Sequence, residues 1–148
     1  MLVGGDGPDR ERLESLAKKL QIEKNVLFKG FLRGQAWLEA FQSADVFITA
    51  SKSENMPLTI LEAMSTGLPV VAVGEKGVAE IVRSGENGFL STADNVEDLA
   101  RNVLKIKNSE ELREKFSLES RKLALDYSYE KVGQNLAHLY KTLIYKSE

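Results

Sequence analysis

Residues 44–73 read ADVFITASKSENMPLTILEAMSTGLPVVAV, and the order of their apolar and polar segments decides the fold. Val46-Phe47-Ile48 is a short unbroken apolar run, the pattern of a strand covered on both faces. A polar loop follows from Ala50 to Met56. Pro57 then opens a helix on which Leu58, Leu61 and Met64 recur at helical spacing, and Gly67 closes it. Val70-Val71-Ala72-Val73 is a second unbroken apolar strand. Strand, crossover helix, strand, with continuous rather than alternating apolar runs, specifies a parallel sheet with helices on both faces.

The same rhythm extends in both directions. Upstream, Leu2-Val3 is a strand stub cut off by Gly4-Gly5-Asp6-Gly7-Pro8, a glycine turn that leads into a helix carrying Leu13, Leu16, Ala17 and Leu20. Val26-Leu27-Phe28 is a strand closed by Gly30, and Trp37, Leu38 and Phe41 mark a helix. Downstream, Val78, Ile81 and Val82 make a short helix, and Gly88-Phe89-Leu90 a last strand. Beyond Leu90 the pattern is helical only. Asp94 with Glu97 three residues on reads as a capping box. Ser109 and Ser128 precede two further helices, the last with Val132, Leu136, Leu139 and Leu143 on one face. His138 falls off that face and reads as an exposed histidine.

Composition narrows the function classes. The chain has 148 residues, one domain's worth, divided into an α/β core over 1–93 and C-terminal helices over 94–148. Twenty basic and 22 acidic side chains give a net charge of −2, with no cationic excess to neutralise nucleic-acid phosphates. There is no cysteine and one histidine, which excludes disulfides, thiol catalysis and His-rich metal sites. No apolar run approaches the ~18 residues of a membrane span, and Met1 to Gly5 is too short to be a signal peptide. A cytoplasmic protein is expected.

In an open parallel sheet, ligands bind at the carboxyl ends of the strands. The richest such end here is Ser51-Lys52-Ser53-Glu54-Asn55-Met56-Pro57. The helix after it points its free first-turn N–H groups back at the loop, which suits an anion. Glu54 lies in the loop, and Glu62 about five residues into the helix, ~7.5 Å along its axis. Two carboxylates flanking a phosphate-sized site suit a ligand with hydroxyls on either side of its phosphates. A plainer reading remains beside this one: glutamates near helix starts complement the dipole whether or not a ligand binds.

Glu54-Asn55-Met56-Pro57-Leu58-Thr59-Ile60-Leu61-Glu62 resembles the E-x7-E motif of the group 1 retaining nucleotide-sugar glycosyltransferases of GT-B fold, in their C-terminal, donor-binding half. Ala63-Met64 and Gly67-Leu68-Pro69-Val70-Val71-Ala72 follow as in that family. The turn Gly5-Asp6-Gly7-Pro8, the strand Asn25-Val26-Leu27-Phe28-Lys29-Gly30, and the segments Gly77 to Val82 and Asn87 to Leu90 match in order and spacing. The resemblance implies a Rossmann-like parallel sheet of strand order 3-2-1-4-5-6, here without the family's first βα unit.

What the resemblance implies for function is specific. Glu54, as the catalytic residue, would hold hydroxyls of the transferred sugar together with the N–H groups of Asn55 and Met56. The N–H groups of Leu58 and Thr59 would meet the diphosphate, and Glu62 the ribose hydroxyls. Gly7 in the glycine turn would belong to the substrate-binding set, and Phe31 and Arg33, in the loop after Gly30, would lie where the family receives the nucleobase. Pro57 stands where the family often has glycine, which removes one N–H. Transfer of a hexosyl group, with retention, would pass through an oxocarbenium-like transition state, with the diphosphate stabilised by fixed dipoles and cations. Glu54 fits a substrate holder better than a nucleophile, which would need a partner carboxyl within ~5 Å.

The acceptor would be a glycan or glycolipid, as in polysaccharide assembly, and no metal or other cofactor is expected. Further implications are an acceptor-binding N-terminal domain as partner, through which the protein could sit at a membrane surface, and no transfer by this chain alone. Self-association through the last helix is a further expectation. The alternatives are a non-catalytic nucleotide-sugar-binding or interaction module, or a subunit that needs a separate acceptor-domain partner. An unrelated dinucleotide enzyme is disfavoured, because no G-x-G-x-x-G follows a strand.

Overall fold

The computed structural model describes residues 1–145. The elements alternate as expected: β1 (Leu2–Gly4), α1 (Arg10–Lys19), β2 (Leu27–Gly30), α2 (Gln35–Gln42), β3 (Phe47–Thr49), α3 (Leu58–Ser65), β4 (Val70–Val73), α4 (Val78–Ile81) and β5 (Gly88–Ser91). Three helices follow, α5 (Val96–Lys107), α6 (Glu110–Leu125) and α7 (Tyr129–Tyr145). A 3-10 turn over Glu23–Asn25 had no apolar signature to announce it. All strand pairing within the named strands is parallel, in two ladders ordered β1-β2 and β3-β4-β5. Each ladder by itself has the neighbours that the expected order gives these strands. The chain divides into two compact units, Met1–Ser43 and Ala44–Glu148.

In the first unit, β1 and β2 pair from Leu2–Leu27, with a register shift before Gly4–Gly30. Leu2 and Leu27 stay exposed, so this ladder lacks the double cover that its apolar strands led one to expect. Arg10 bonds Glu14 one turn on, an i,i+4 ion pair that supports the start of α1. Trp37 and Phe41 meet edge to face on α2, their centroids 4.8 Å apart.

The second unit holds the principal core. All four residues of β4 are buried, and alternation divides Val70 and Ala72 from Val71 between two clusters. Val70 and Ala72 pack with Ile60 and Met64 of α3, Val78 and Ile81 of α4, and Leu123 of α6. Val71 faces the other way, against Ile106 of α5 and Phe116 of α6. This is the covered parallel sheet that residues 44–73 specify. Gly88 opens β5 because a Cβ there would lie 1.9 Å from the Val70 carbonyl oxygen.

Helix ends set the loops. α3 closes in a Schellman motif: Gly67 N–H bonds Met64 O and Leu68 N–H bonds Ala63 O, with Gly67 at φ +85°. The cap expected at Asp94 lies one residue later, and without the reciprocal bond of a capping box, because Asn95 N–H bonds the Thr92 carbonyl. Asn95 is the cap, its Oδ1 accepting from Asp98 N–H at 2.9 Å, and the Asp98 carboxylate accepts from Thr92 N–H at 3.0 Å. Asp94 has φ +59°, outside the extended conformation of a capping residue, whereas Asn95 has φ −104° and ψ 90°. Ser109 caps α6 through Leu112 N–H, and the Ser128 hydroxyl accepts from Lys131 N–H. On α7, His138 is exposed, and so are Val132, Leu136, Leu139 and Leu143.

Candidate functional site

Six of the nine residues singled out from sequence lie together in the second unit. The β3 strand ends at Thr49, and the chain crosses the carboxyl edge of the sheet before α3 begins at Leu58. Glu54, half-buried, sits in this loop, and the Ser51 hydroxyl donates to its Oε1 at 2.9 Å. That bond fixes one carboxylate oxygen and leaves the carboxylate's other lone pairs for hydroxyl donors. Pro57 is buried and stands as the N-cap of α3, with φ −79°, one place before the first helical residue.

Backbone donors gather at the start of α3. The Leu58 N–H is taken by the Met56 carbonyl at 2.9 Å. Among the described residues no acceptor engages the N–H groups of Asn55, Met56 or Thr59, and all three residues are exposed. Unpaired amides at a helix start carry positive partial charge and are a ready receptor for an anion. Glu62 is the fifth residue of α3 and is exposed. Its Cα lies ~6 Å along the axis from Leu58, so it stays clear of the free amides at the first turn.

Two neighbouring loops hold this one. Gly77, which precedes α4, donates its N–H to the Glu54 carbonyl at 3.2 Å. A Cβ on Gly77 would lie 2.0 Å from the Asn55 carbonyl oxygen, so only glycine admits this approach. Lys52 reaches the loop after β5, where its ammonium bonds both carboxylate oxygens of Asp94 at 2.9 Å. The Asp94 carboxylate, with Glu75 adding to it, raises the Lys52 pKa above the ordinary lysine value. Lys76 and Asp94, in the loops after β4 and β5, both have φ in the left-handed region, at +48° and +59°.

Sequence reasoning reaches Ser51 and Lys52 only as part of the loop, Asp94 only as a capping candidate, and Gly77 only as part of a matching segment. The remaining three candidates lie in the first unit. Gly7 is exposed in the turn between β1 and α1, its N–H bonded to Asp6 and its carbonyl to Arg10 N–H. Phe31 and Arg33 follow β2 directly and are exposed, Phe31 at 72%. Among the described residues no cluster of three or more His, Asp or Glu side chains could hold a metal ion. No described helix is long and apolar enough to cross a membrane.

Parallel ladders with crossover helices, and polar loops at the carboxyl ends of β3, β4 and β5, define an open parallel α/β architecture, in which ligands bind at such strand ends. The chain belongs to the glycosyl transferases of group 1, whose family description matches residues 1–123. It is similar to an uncharacterized glycosyltransferase of Haemophilus influenzae, 35% identical over 131 residues, covering 88% of this chain and 36% of that protein. It is also 40% identical over 113 residues to the sulfoquinovosyl transferase SQD2 of Arabidopsis thaliana, covering 74% of this chain and 21% of the relative. The chain thus spans about a third or less of the length of these two relatives. Among solved structures, S. aureus TarM in a complex containing UDP superposes with a TM-score of 0.84 at 24% identity, over 94% of this chain and 28% of that one. Anabaena HepE in complex with UDP-glucose gives 0.82 at 25% identity, over 95% and 40%. The fold is therefore that of the GT-B glycosyltransferases.

Proposed function

We propose that this chain carries the donor site of a retaining glycosyltransferase, which moves a hexosyl group from a nucleoside-diphosphate sugar to an acceptor such as a glycan or glycolipid. One observation carries the reading: Glu54, fixed by Ser51, stands beside three amides without acceptors at the start of α3, with Glu62 further along the same helix. Glu54 holds sugar hydroxyls with the help of Asn55 and Met56. The diphosphate lies at the helix start, where Thr59 N–H donates and the dipole favours negative charge. The Leu58 N–H, bonded within the loop, contributes to the positive end of the helix rather than a direct bond. Glu62 accepts from the ribose hydroxyls.

Charge develops on the leaving diphosphate in the transition state. Fixed amides aimed at it stabilise that charge without reorganising, and in a site with no nucleophile in place this is the main source of rate acceleration. No metal takes part in this reading. Turnover needs an acceptor-binding domain besides this donor site. The complex of Anabaena HepE with UDP-glucose supports a uridine nucleotide as the first donor to test.

The test is a calorimetric titration of the protein with uridine, guanosine and adenosine diphosphates, repeated with Glu62→Ala. One nucleotide should bind, and the variant should bind it at least tenfold more weakly. Equal affinities refute the ribose role of Glu62. No binding of any of the three by the unaltered chain overturns the donor-site reading itself.

A further inference from the structure

Glu54 belongs to a loop of eight residues without helix or strand, Ala50 to Pro57, which must keep one shape to present a carboxylate and free amides together. Its own bonds are few. Ser51 N–H reaches the Thr49 hydroxyl at 3.3 Å, and the Ser51 hydroxyl reaches Glu54. Two contacts come from elsewhere in the chain. Gly77 N–H holds the Glu54 carbonyl, and Asp94 holds the Lys52 ammonium across a sequence separation of 42 residues. Asp94 is itself well anchored. It adjoins Asn95, the cap of α5, and Asp98 of that helix ties back to Thr92. The loop bearing Glu54 is thereby fastened to the N-terminal end of a packed helix.

We propose that Lys52 and Asp94 form a strap that keeps the Glu54 loop in its ligand-receiving shape, which makes Lys52 a positioning residue; this rests on the donor-site reading above. Both side chains are exposed, 50% for Lys52 and 79% for Asp94. An exposed pair adds little to global stability. Its bidentate geometry and the rigidity of its far end give it a local effect: they fix where residue 52 stands, two places before Glu54. Lys52 therefore serves the site by holding Asp94.

A direct role is the rival assignment, with Lys52 contacting the ligand's phosphates itself. The two assignments differ in sign. If Lys52 grips phosphate, removing the Asp94 carboxylate frees it and nucleotide binding tightens. If Lys52 is a strap, the same change loosens the loop and binding weakens. Asp94→Asn is the variant of choice, because asparagine tolerates the left-handed conformation of that position.

The experiment measures two things on Lys52→Met, Lys52→Arg, Asp94→Asn and the double variant Lys52→Met/Asp94→Asn. The first is hydrogen exchange of the Gly77 amide, which reports whether the Glu54 carbonyl stays in place. The second is affinity for the nucleoside diphosphate that the unaltered protein binds. The strap predicts that Lys52→Met and Asp94→Asn each lower Gly77 protection about two- to fivefold, on the scale of an exposed ion pair. Both should weaken nucleotide binding by a similar factor, and the double variant should lose no more than either single one. Lys52→Arg should restore both readouts, since a guanidinium keeps the bidentate bond. The urea midpoint should not move, which separates a local from a global effect. Tighter binding by Asp94→Asn, or Gly77 protection unchanged in both single variants, overturns the proposal. If the unaltered protein binds no nucleotide, the donor-site reading fails, and the exchange measurement still decides whether the strap exists.

Discussion

Replacing Gly77 with alanine tests the construction of the site through a single methyl group. Gly77 has φ −62° and ψ −16°, an ordinary helical conformation that alanine adopts freely. Backbone entropy alone would make the change stabilising by about 0.4–1 kcal/mol. Sterics reverse the sign. The new Cβ would lie 2.0 Å from the Asn55 carbonyl oxygen, 2.8 Å from its carbon and 3.3 Å from the Glu54 oxygen. These are backbone atoms, so no rotamer change relieves the contact, and the two loops must part by at least about 1 Å. That separation breaks the Gly77–Glu54 hydrogen bond, worth about 1 kcal/mol, and adds an overpacking cost of about 1–3 kcal/mol. The net expectation is a loss of roughly 2 kcal/mol in urea unfolding, with nucleoside diphosphate affinity at least tenfold weaker because Glu54 and the Asn55 amide move together. Gly133→Ala is the control. It lies in the interior of α7 with nothing within 4 Å of its Cβ position, so the same substitution should stabilise by about 0.5–1 kcal/mol. A Gly77→Ala protein with an unchanged urea midpoint and unchanged affinity would refute the close approach and the role given to it.

Two further expectations concern the core and the charge on the strap. Phe116 is fully buried beside Val71 and Ile106 and meets Phe89 edge to face at 5.2 Å. Phe116→Ala should cost about 3–5 kcal/mol, read from the urea midpoint, because α5 and α6 cannot close over the void. The Lys52 pKa is raised, by its bond to Asp94 first and by the charges of Asp94 and Glu75 after it. The folded state therefore favours the charged amine, and the tie is fully present below the ordinary lysine value and lost as pH rises through the raised one. A carbon-13 titration of the Lys52 side chain should place it above the ordinary lysine value, and Asp94→Asn should bring it down toward that value.

How far the site could be read from the amino-acid order follows from where each signal lies. β4 was legible because its four apolar residues face two covered surfaces, Val70 and Ala72 on one and Val71 on the other, and no alternation was left to confuse. The start of α3 was legible because Pro57, the apolar spacing after it and Gly67 are all local signals. The cap of α5 was misplaced by one residue because Asp94–Glu97 and Asn95–Asp98 share the same spacing. Backbone conformation chooses between them, and φ +59° at Asp94 is not written in a spacing. That single shift has a consequence for the site. A capping Asp94 would spend its carboxylate on the helix's own N–H groups. Relieved of that duty by Asn95, it faces Lys52 from 42 positions away. Gly77 was legible only as the first residue of a matching segment, and the Asn55 carbonyl that makes glycine necessary there belongs to another loop. Glu54, Asn55, Met56, Thr59 and Glu62 are thus close in sequence and visible there, while Lys52, Asp94 and Gly77, which hold that loop in place, act through contacts that exist only once the sheet has brought three loops to one edge.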